Sequence, residues 1–340
     1  MTGLKAFRMT MLILAGALGL AVVTCLLPEN EYQRWQLLDD TIHKNARWIY
    51  ERSNFDPTPI DVAFLGPSRI GMGIDTPLLA RLLAEKGEPA NVVNFSLPEA
   101  GRNINLTIAE QLFRYKRPRL VVIGVTEKPS RFGHSAFKYV APVGAIANPG
   151  YFPDLNYFSD LIYLPFRQGR LFFADLFPGA SGLTKRFDPS EYRGSDILTV
   201  GDVIMPDGTI KEGERPAPMH EILRGVHKLE AGTHPPILPK RFADYEFGDE
   251  RHYVREVVKL AQARGSKVVF LMLPYYSGPS AVQDTPFYTQ WGPLWNASFL
   301  STHPEWYADY GHLTHHGADI LTTWLSGPVA SALQQEGKPR

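Results

Sequence analysis

The chain has 340 residues, 44% of them hydrophobic, and its 35 basic and 35 acidic side chains cancel to zero formal charge. That balance suits a folded protein of one large or two small domains, not a disordered one, and without a basic stripe it argues against nucleic acid as a partner. One cysteine, Cys25, rules out an intrachain disulfide, and its place in an apolar run argues against redox or metal chemistry.

That run, Met9–Leu27, is uncharged, rich in Leu, Ala, Val and Gly, and ends at Pro28. About 20 such residues span a bilayer core as a helix. Lys5 and Arg8 precede it while Glu29 and Glu31 follow, so the positive flank predicts a cytoplasmic N-terminus with the rest of the chain across the membrane. A cleaved signal peptide is the competing reading. Val22-Val23-Thr24-Cys25 fits neither a small-x-small cleavage site nor a lipoprotein box, which favours an uncleaved anchor. A buried core helix fits poorly, because the run is uniformly apolar and terminal. The expected layout is an anchor over 1–28, contacting the membrane through 9–27, a stalk over 29–59 and a domain over 60–335. The protein is then single-pass in the inner (cytoplasmic) membrane with a periplasmic domain. In the stalk, Trp35, Leu38, Ile42 and Ile49 recur at near-helical spacing over Glu31–Arg52, and Asp56-Pro57-Thr58-Pro59 breaks the pattern.

The domain opens on Ile60–Gly73, IDVAFLGPSRIGMG: a short apolar strand running into Gly66-Pro67-Ser68-Arg69. Ligands of open α/β sheets bind at the carboxyl ends of the strands, so a hydroxyl at this turn is a candidate nucleophile. The plainer alternative is a serine that caps the next helix. Thr76 and Pro77 suit the N-cap and first position of a helix whose stripe is Leu78, Leu79, Leu82 and Leu83 and which Gly87 ends. Ala90–Phe95 is a second strand and Ile104–Tyr115 a second helix. Leu120–Val125 is a third strand, apolar almost without interruption as expected when both faces are covered. This β-α-β-α-β order implies a parallel sheet with right-handed crossovers.

From Pro129 to Phe247 the periodicity fails amid Gly, Pro and aromatics such as Tyr151-Phe152-Pro153 and Phe172–Phe177. Pro206-Asp207-Gly208 signals a hairpin between Val203-Ile204 and Thr209-Ile210. The stretch of about 130–247 reads as a large insertion packed on the sheet as a wall or lid. Asp249–Arg264 resumes a helix through Val254, Val257, Val258 and Ala261, with Gly265 as its C-cap, before a strand at Lys267–Leu273. Pro274-Tyr275-Tyr276 leaves that strand at its carboxyl edge, which places both tyrosines for the same crevice.

A serine nucleophile needs a base within reach and a third group to orient the base. Asp309-Tyr310-Gly311-His312 supplies both within one turn. The carboxylate reaches back to one ring nitrogen and leaves the other for a hydroxyl. Ser68 meets them only if the first and last loops share one sheet edge.

Gly66-Pro67-Ser68-Arg69, the stretch Asn94 to Gly101, the Leu120–Val125 strand and Asp309-x-x-His312-Leu313-Thr314-x-x-Gly317-Ala318 resemble the ordered blocks of the SGNH (GDSL-type) hydrolases. The likeness spans 60–128 and 249–324. It implies a flavodoxin-like three-layer α/β/α sandwich with a parallel sheet, and an ester-cleaving triad of Ser68, His312 and Asp309. The lack of Gly-x-Ser-x-Gly, and an acid only three residues before the histidine, separate the chain from α/β-hydrolases. The same resemblance implies an oxyanion hole from the N–H groups of Ser68 and Gly101. The family's third donor, an Asn after the third strand, is absent: the block reads Gly124-Val125-Thr126-Glu127. Losing one such donor costs on the order of 10²–10³ in rate, so Thr126, Asn94 or Asn103 is expected to replace it, or the site is weak or specialised.

His312, His315 and His316 have the i, i+3, i+4 spacing of helix-borne metal ligands, with His303 and Asp309 nearby in sequence. His312 is needed at the turn, however, and nothing completes a shell; no metal or other cofactor is expected. Trp291, Trp295, Trp306, Tyr307 and Tyr310 are either sugar-stacking or packing residues. Arg69 either binds an anionic substrate group or ties down a neighbouring loop.

Anchored, extracytoplasmic domains of this type resemble proteins that add or remove acyl groups, commonly acetyl, on cell-surface or secreted polysaccharide. The resemblance implies an O-acyl esterase, or an O-acyltransferase served by a membrane acyl-donor protein. The rival reading is a non-catalytic, carbohydrate-binding scaffold of a polysaccharide assembly or export complex.

Overall fold

A computed structural model describes residues 2–148, 154–204 and 208–334. Among them the strands are β1 (Val62–Leu65), β2 (Val92–Asn94), β3 (Leu120–Val125), β4 (Val203–Ile204), β5 (Ile210–Lys211), β6 (Lys267–Met272) and β7 (Leu294–Asn296). Five form one parallel sheet in the order β2-β1-β3-β6-β7, with Val62 paired to both Val92 and Leu120, Leu120 to Lys267 and Phe270 to Leu294. Successive residues of a strand point to opposite faces, and here both faces are apolar. Ala63, Leu65, Val121, Ile123 and Phe270 feed one core, while Val62, Phe64, Leu120, Val122 and Leu271 feed the other. Helices Asn103–Tyr115 and Gly248–Ala263 cover the first face, and Thr76–Glu85 and His315–Gln334 the second. The result is a mixed α/β fold with helices on both sides of an all-parallel sheet, which puts the loops after β1, β3 and β6 on one rim.

Several elements differ from the sequence expectation. The N-cap of Thr76–Glu85 is Asp75, whose carboxylate accepts the Leu78 N–H at 2.8 Å; the Thr76 hydroxyl instead reaches Asp196 at 3.3 Å. The expected stalk is two helices, Glu31–Gln36 and Asn45–Asn54, folded back onto the domain. Trp35, Leu38, Trp48 and Ile49 are buried in the first core, and the Arg52 guanidinium is held by the carbonyls of Ser195, Thr58 and Pro59. Burying two tryptophans removes more apolar surface from water than any exposed stalk could.

The 130–247 region contains long regular helices, Tyr157–Leu176 and Met219–Gly232. The first hides from sequence reading because Pro165 lies mid-helix and its buried face carries Asp160, Arg167 and Gln168. β4 and β5 pair antiparallel as the hairpin signal predicts, Ile204 opposite Ile210; Pro206 and Asp207 of the turn, and Tyr151-Phe152-Pro153, lie outside the described residues. At the N-terminus, Gly3–Cys25 lies within a helix long and apolar enough to cross a membrane.

Candidate active site

β1 delivers its chain end between two close neighbours. A Cβ on Gly124, at the end of β3, would sit 2.1 Å from Ile70 Cγ1, so Ile70 fills the space that a side chain there would need. That packing seats Gly66-Pro67 against β3 and starts the helix Ser68–Gly73 at the serine. Across the rim, Tyr307 and Leu313 form an antiparallel bridge that closes the loop between them. Within that loop, Asp309 Oδ1 accepts the N–H groups of Gly311 and His312, both at 2.7 Å. Its other oxygen lies 2.7 Å from His312 Nδ1, and His312 Nε2 lies 2.7 Å from Ser68 Oγ. With Nδ1–H donating to the carboxylate, Nε2 is left to accept the serine O–H. Burial alone would raise the Asp309 carboxyl. The hydrogen bond and charge of His312, with the two backbone N–H groups, outweigh burial and hold it below the usual range. The two loops, more than two hundred residues apart in sequence, thus converge on one hydroxyl.

Ser68 and His312 line a cleft of about 550 Å³, with Asp309 behind the ring. The insertion supplies one wall through Lys128–Phe132, Leu155, Leu229, Glu230, Thr233, His234 and Ile237. Gly101 lines the cleft with φ +127°, and a Cβ there would lie 2.2 Å from His134 N, so both its conformation and its neighbours demand glycine. The loop is fixed from behind: the Arg102 N–H donates to Asp249 at 2.8 Å, and Arg102 Nε donates to Glu250 at 2.8 Å.

Of the three side chains considered as a third oxyanion donor, two are engaged elsewhere and one is buried off the cleft. Thr126 lines the cleft, but its hydroxyl donates to the Lys128 carbonyl at 2.8 Å. Buried Asn94 donates its amide to the Ile70 carbonyl at 2.9 Å and ties down the serine helix. Asn103, fully buried and not part of the cleft lining, accepts the His134 N–H at 2.8 Å through Oδ1, while its amide nitrogen has no hydrogen-bond partner among the described residues. The side-chain donor expected from sequence is therefore not at the rim.

Arg69 lines the cleft as a tie between loops. Its Nη1 meets both oxygens of Glu127, at 2.7 and 2.8 Å, and the Leu273 carbonyl at 3.2 Å, while Glu127 also accepts the Tyr275 N–H at 3.0 Å. One buried carboxylate thus joins the ends of β1, β3 and β6. Sequence reading missed Glu127; the available signal was an acid just past β3 facing an arginine just past β1. Tyr275 lines the cleft with its hydroxyl donating to Glu230 at 3.1 Å, and burial foremost pushes that phenol up to about 12. Tyr310 also lines the cleft, its ring against Gly225. Tyr276 does not: it packs into the second core, with its ring edge-on to Tyr307. Trp291, Trp295, Trp306 and Tyr307 are packing residues, Trp306 stacked on His303 at 3.7 Å between centroids. His315 faces Gly213 of the hairpin region, and His316 is exposed.

Among the described residues, His43, Glu99 and His134 come near enough together to suggest metal ligands. The His134 ring is already engaged, with Nε2 2.5 Å from the Pro98 carbonyl and Nδ1 accepting the Ala136 N–H at 3.1 Å. That leaves His43 and Glu99, 3.6 Å apart, too few for a shell.

No protein-family model matches the chain, and no curated protein matches it either.

Proposed function

We propose that the protein is a membrane-anchored serine esterase or O-acyltransferase acting on acyl esters, acetyl foremost, of cell-surface or secreted polysaccharide. The observation that carries this is the unbroken relay from Ser68 Oγ through His312 to Asp309, each contact 2.7 Å. The parallel strand order, with the serine after the first strand, agrees with a flavodoxin-like sandwich of the SGNH type. Ser68 Oγ adds to the ester carbonyl while its proton passes to His312 Nε2, and Asp309 stabilises the imidazolium. The N–H groups of Ser68 and Gly101 face the developing oxyanion. Collapse expels the alcohol, which takes the proton from His312 and leaves an acyl-serine. Water as the next acceptor gives hydrolysis; a sugar hydroxyl gives transfer, with a membrane acyl-donor protein as supplier. The basic flank Lys5 and Arg8 favours a periplasmic domain on an inner-membrane anchor.

A fluorophosphonate probe on the full chain tests the reading. Labelling that vanishes in Ser68→Ala supports it; no labelling of the native chain, or labelling that survives the substitution, overturns it. Product analysis with an acyl donor and a polysaccharide then separates esterase from transferase. The second reading, a carbohydrate-binding scaffold, draws support from the engagement of Thr126 and Asn94 by backbone carbonyls and from the burial of Asn103 off the cleft. Polysaccharide binding without probe labelling would favour it.

A further inference from the structure

The helix Tyr157–Leu176 is apolar on both sides. Its inward face mixes Leu164, Leu171 and Ala174 with Asp160, Arg167 and Gln168, each at most 3% exposed. Its outward face carries Phe158, Ile162, Phe166, Phe173 and Leu176, between 52% and 71% exposed, at i, i+4, i+8, i+15 and i+18. A surface helix of a water-borne domain turns polar residues outward, and a contiguous apolar stripe of this size marks a surface that something covers.

The position of the stripe identifies the cover. The helix packs against the apolar Thr2–Cys25 helix, with Gly169 facing Thr24, whose Cγ2 lies at van der Waals distance, 3.7 Å, from where a Cβ would be. Arg167 and Gln168 hold the segment just beyond that helix: Gln168 donates to the Leu27 carbonyl at 3.4 Å, and Arg167 lies 3.7 Å from Glu29. The exposed stripe is thus continuous with the exit of the span. Arg170, exposed at the edge of the stripe, is long enough to place its guanidinium among headgroup phosphates.

We propose that Tyr157–Leu176 lies in the membrane–water interface, its aromatic and aliphatic stripe seated on the phospholipid bilayer that Gly3–Cys25 spans. This presupposes that Gly3–Cys25 is a span. Leu155, just before the helix, lines the catalytic cleft, so the lip of the cleft is held beside the lipid surface. The domain is then fixed in orientation as well as tethered.

The test uses the full chain with Cys25→Ser, reconstituted in phosphatidylcholine–phosphatidylglycerol vesicles and carrying one environment-sensitive fluorophore on a cysteine at Leu14, Phe166 or Lys259. Doxyl lipids report contact with the bilayer and aqueous iodide reports contact with water. The label at Phe166→Cys is expected to emit to the blue of that at Lys259→Cys, with several-fold stronger quenching by headgroup-proximal doxyl and protection from iodide. Quenching at Phe166→Cys by iodide alone, as at Lys259→Cys, overturns the placement. Protection from both quenchers overturns it too, since protein then covers the stripe. If Leu14→Cys escapes doxyl lipids with the nitroxide deep in the chain, the span itself fails; if only Phe166→Cys escapes, the span stands and the interfacial helix falls. To exclude an effect of the label, Phe158→Asp/Phe166→Asp/Phe173→Asp should move a label at Ile162→Cys into iodide reach while Leu14→Cys stays in lipid. These substitutions lie outside the cores, so far-ultraviolet dichroism should be unchanged, and an unmoved Ile162→Cys label also overturns the placement.

Discussion

On one half of the cleft floor, Ser68, His312 and Asp309 are joined by side-chain hydrogen bonds of 2.7 Å. On the other, around Gly101 and the end of β3, the side chains of Thr126, Asn103 and Glu127 hold loops in place, so in the proposed reaction charge stabilisation falls to the main chain at Gly101. The contrast teaches that proton transfer here would rest on side-chain identity, whereas charge stabilisation would rest on backbone shape. The halves should therefore fail in different ways when altered.

The largest expected effect breaks the first half outright. Ser68→Ala or His312→Ala should lower kcat for ester cleavage by on the order of 10⁶, read by product release. Asp309→Asn should follow at about 10⁴, because the amide no longer fixes the imidazole tautomer. Against the second half, Gly101→Ala should cost on the order of 10²–10³ in kcat, since the methyl must displace His134 and carry the Gly101 N–H away from the oxyanion. If Gly101→Ala left the rate intact, the backbone half of the comparison would fall.

Acid should strike that half first. His134, packed behind Gly101, is driven down to about 3 from 6.5, chiefly by burial. Between those pH values the unfolded chain takes up a proton that the folded chain refuses, so stability drops as pH is lowered. The slope is up to about 1.4 kcal/mol per pH unit, measurable from urea midpoints. The Asp309 carboxyl, held below its unfolded value of about 3.9, adds stability above that pH that is lost only further down. The smallest effect belongs to Thr126→Val: unchanged kcat, and about 1 kcal/mol of lost stability as the Lys128 carbonyl loses its donor. A fall in kcat to match Gly101→Ala would show that Thr126 does reach the oxyanion.

What could be read beforehand divides along the same physical lines. The parallel strands were legible because burial on both faces writes unbroken apolar runs such as Leu120–Val125. Asp309 and His312 were legible because their pairing is local, within one turn. Glu127 was not, since its partners Arg69, Leu273 and Tyr275 come together only once three strands are aligned. Trp35, Leu38 and Ile49 read as a stalk because periodicity reports a buried face without saying what buries it. The helix Tyr157–Leu176 was missed because polar and apolar side chains share its inward face and apolar ones also line its outward face, which erases the one-sided pattern by which helices are found.

The Asp309 carboxylate has a further consequence. One oxygen closes its own turn and the other aims the ring three residues later, so Asp309 and His312 orient each other locally, while Gly213, Ala217 and Gly225 brace the loop from outside. Substitutions in the cleft wall that leave Gly213, Ala217 and Gly225 in place should therefore reshape the cleft without disturbing the aim of His312.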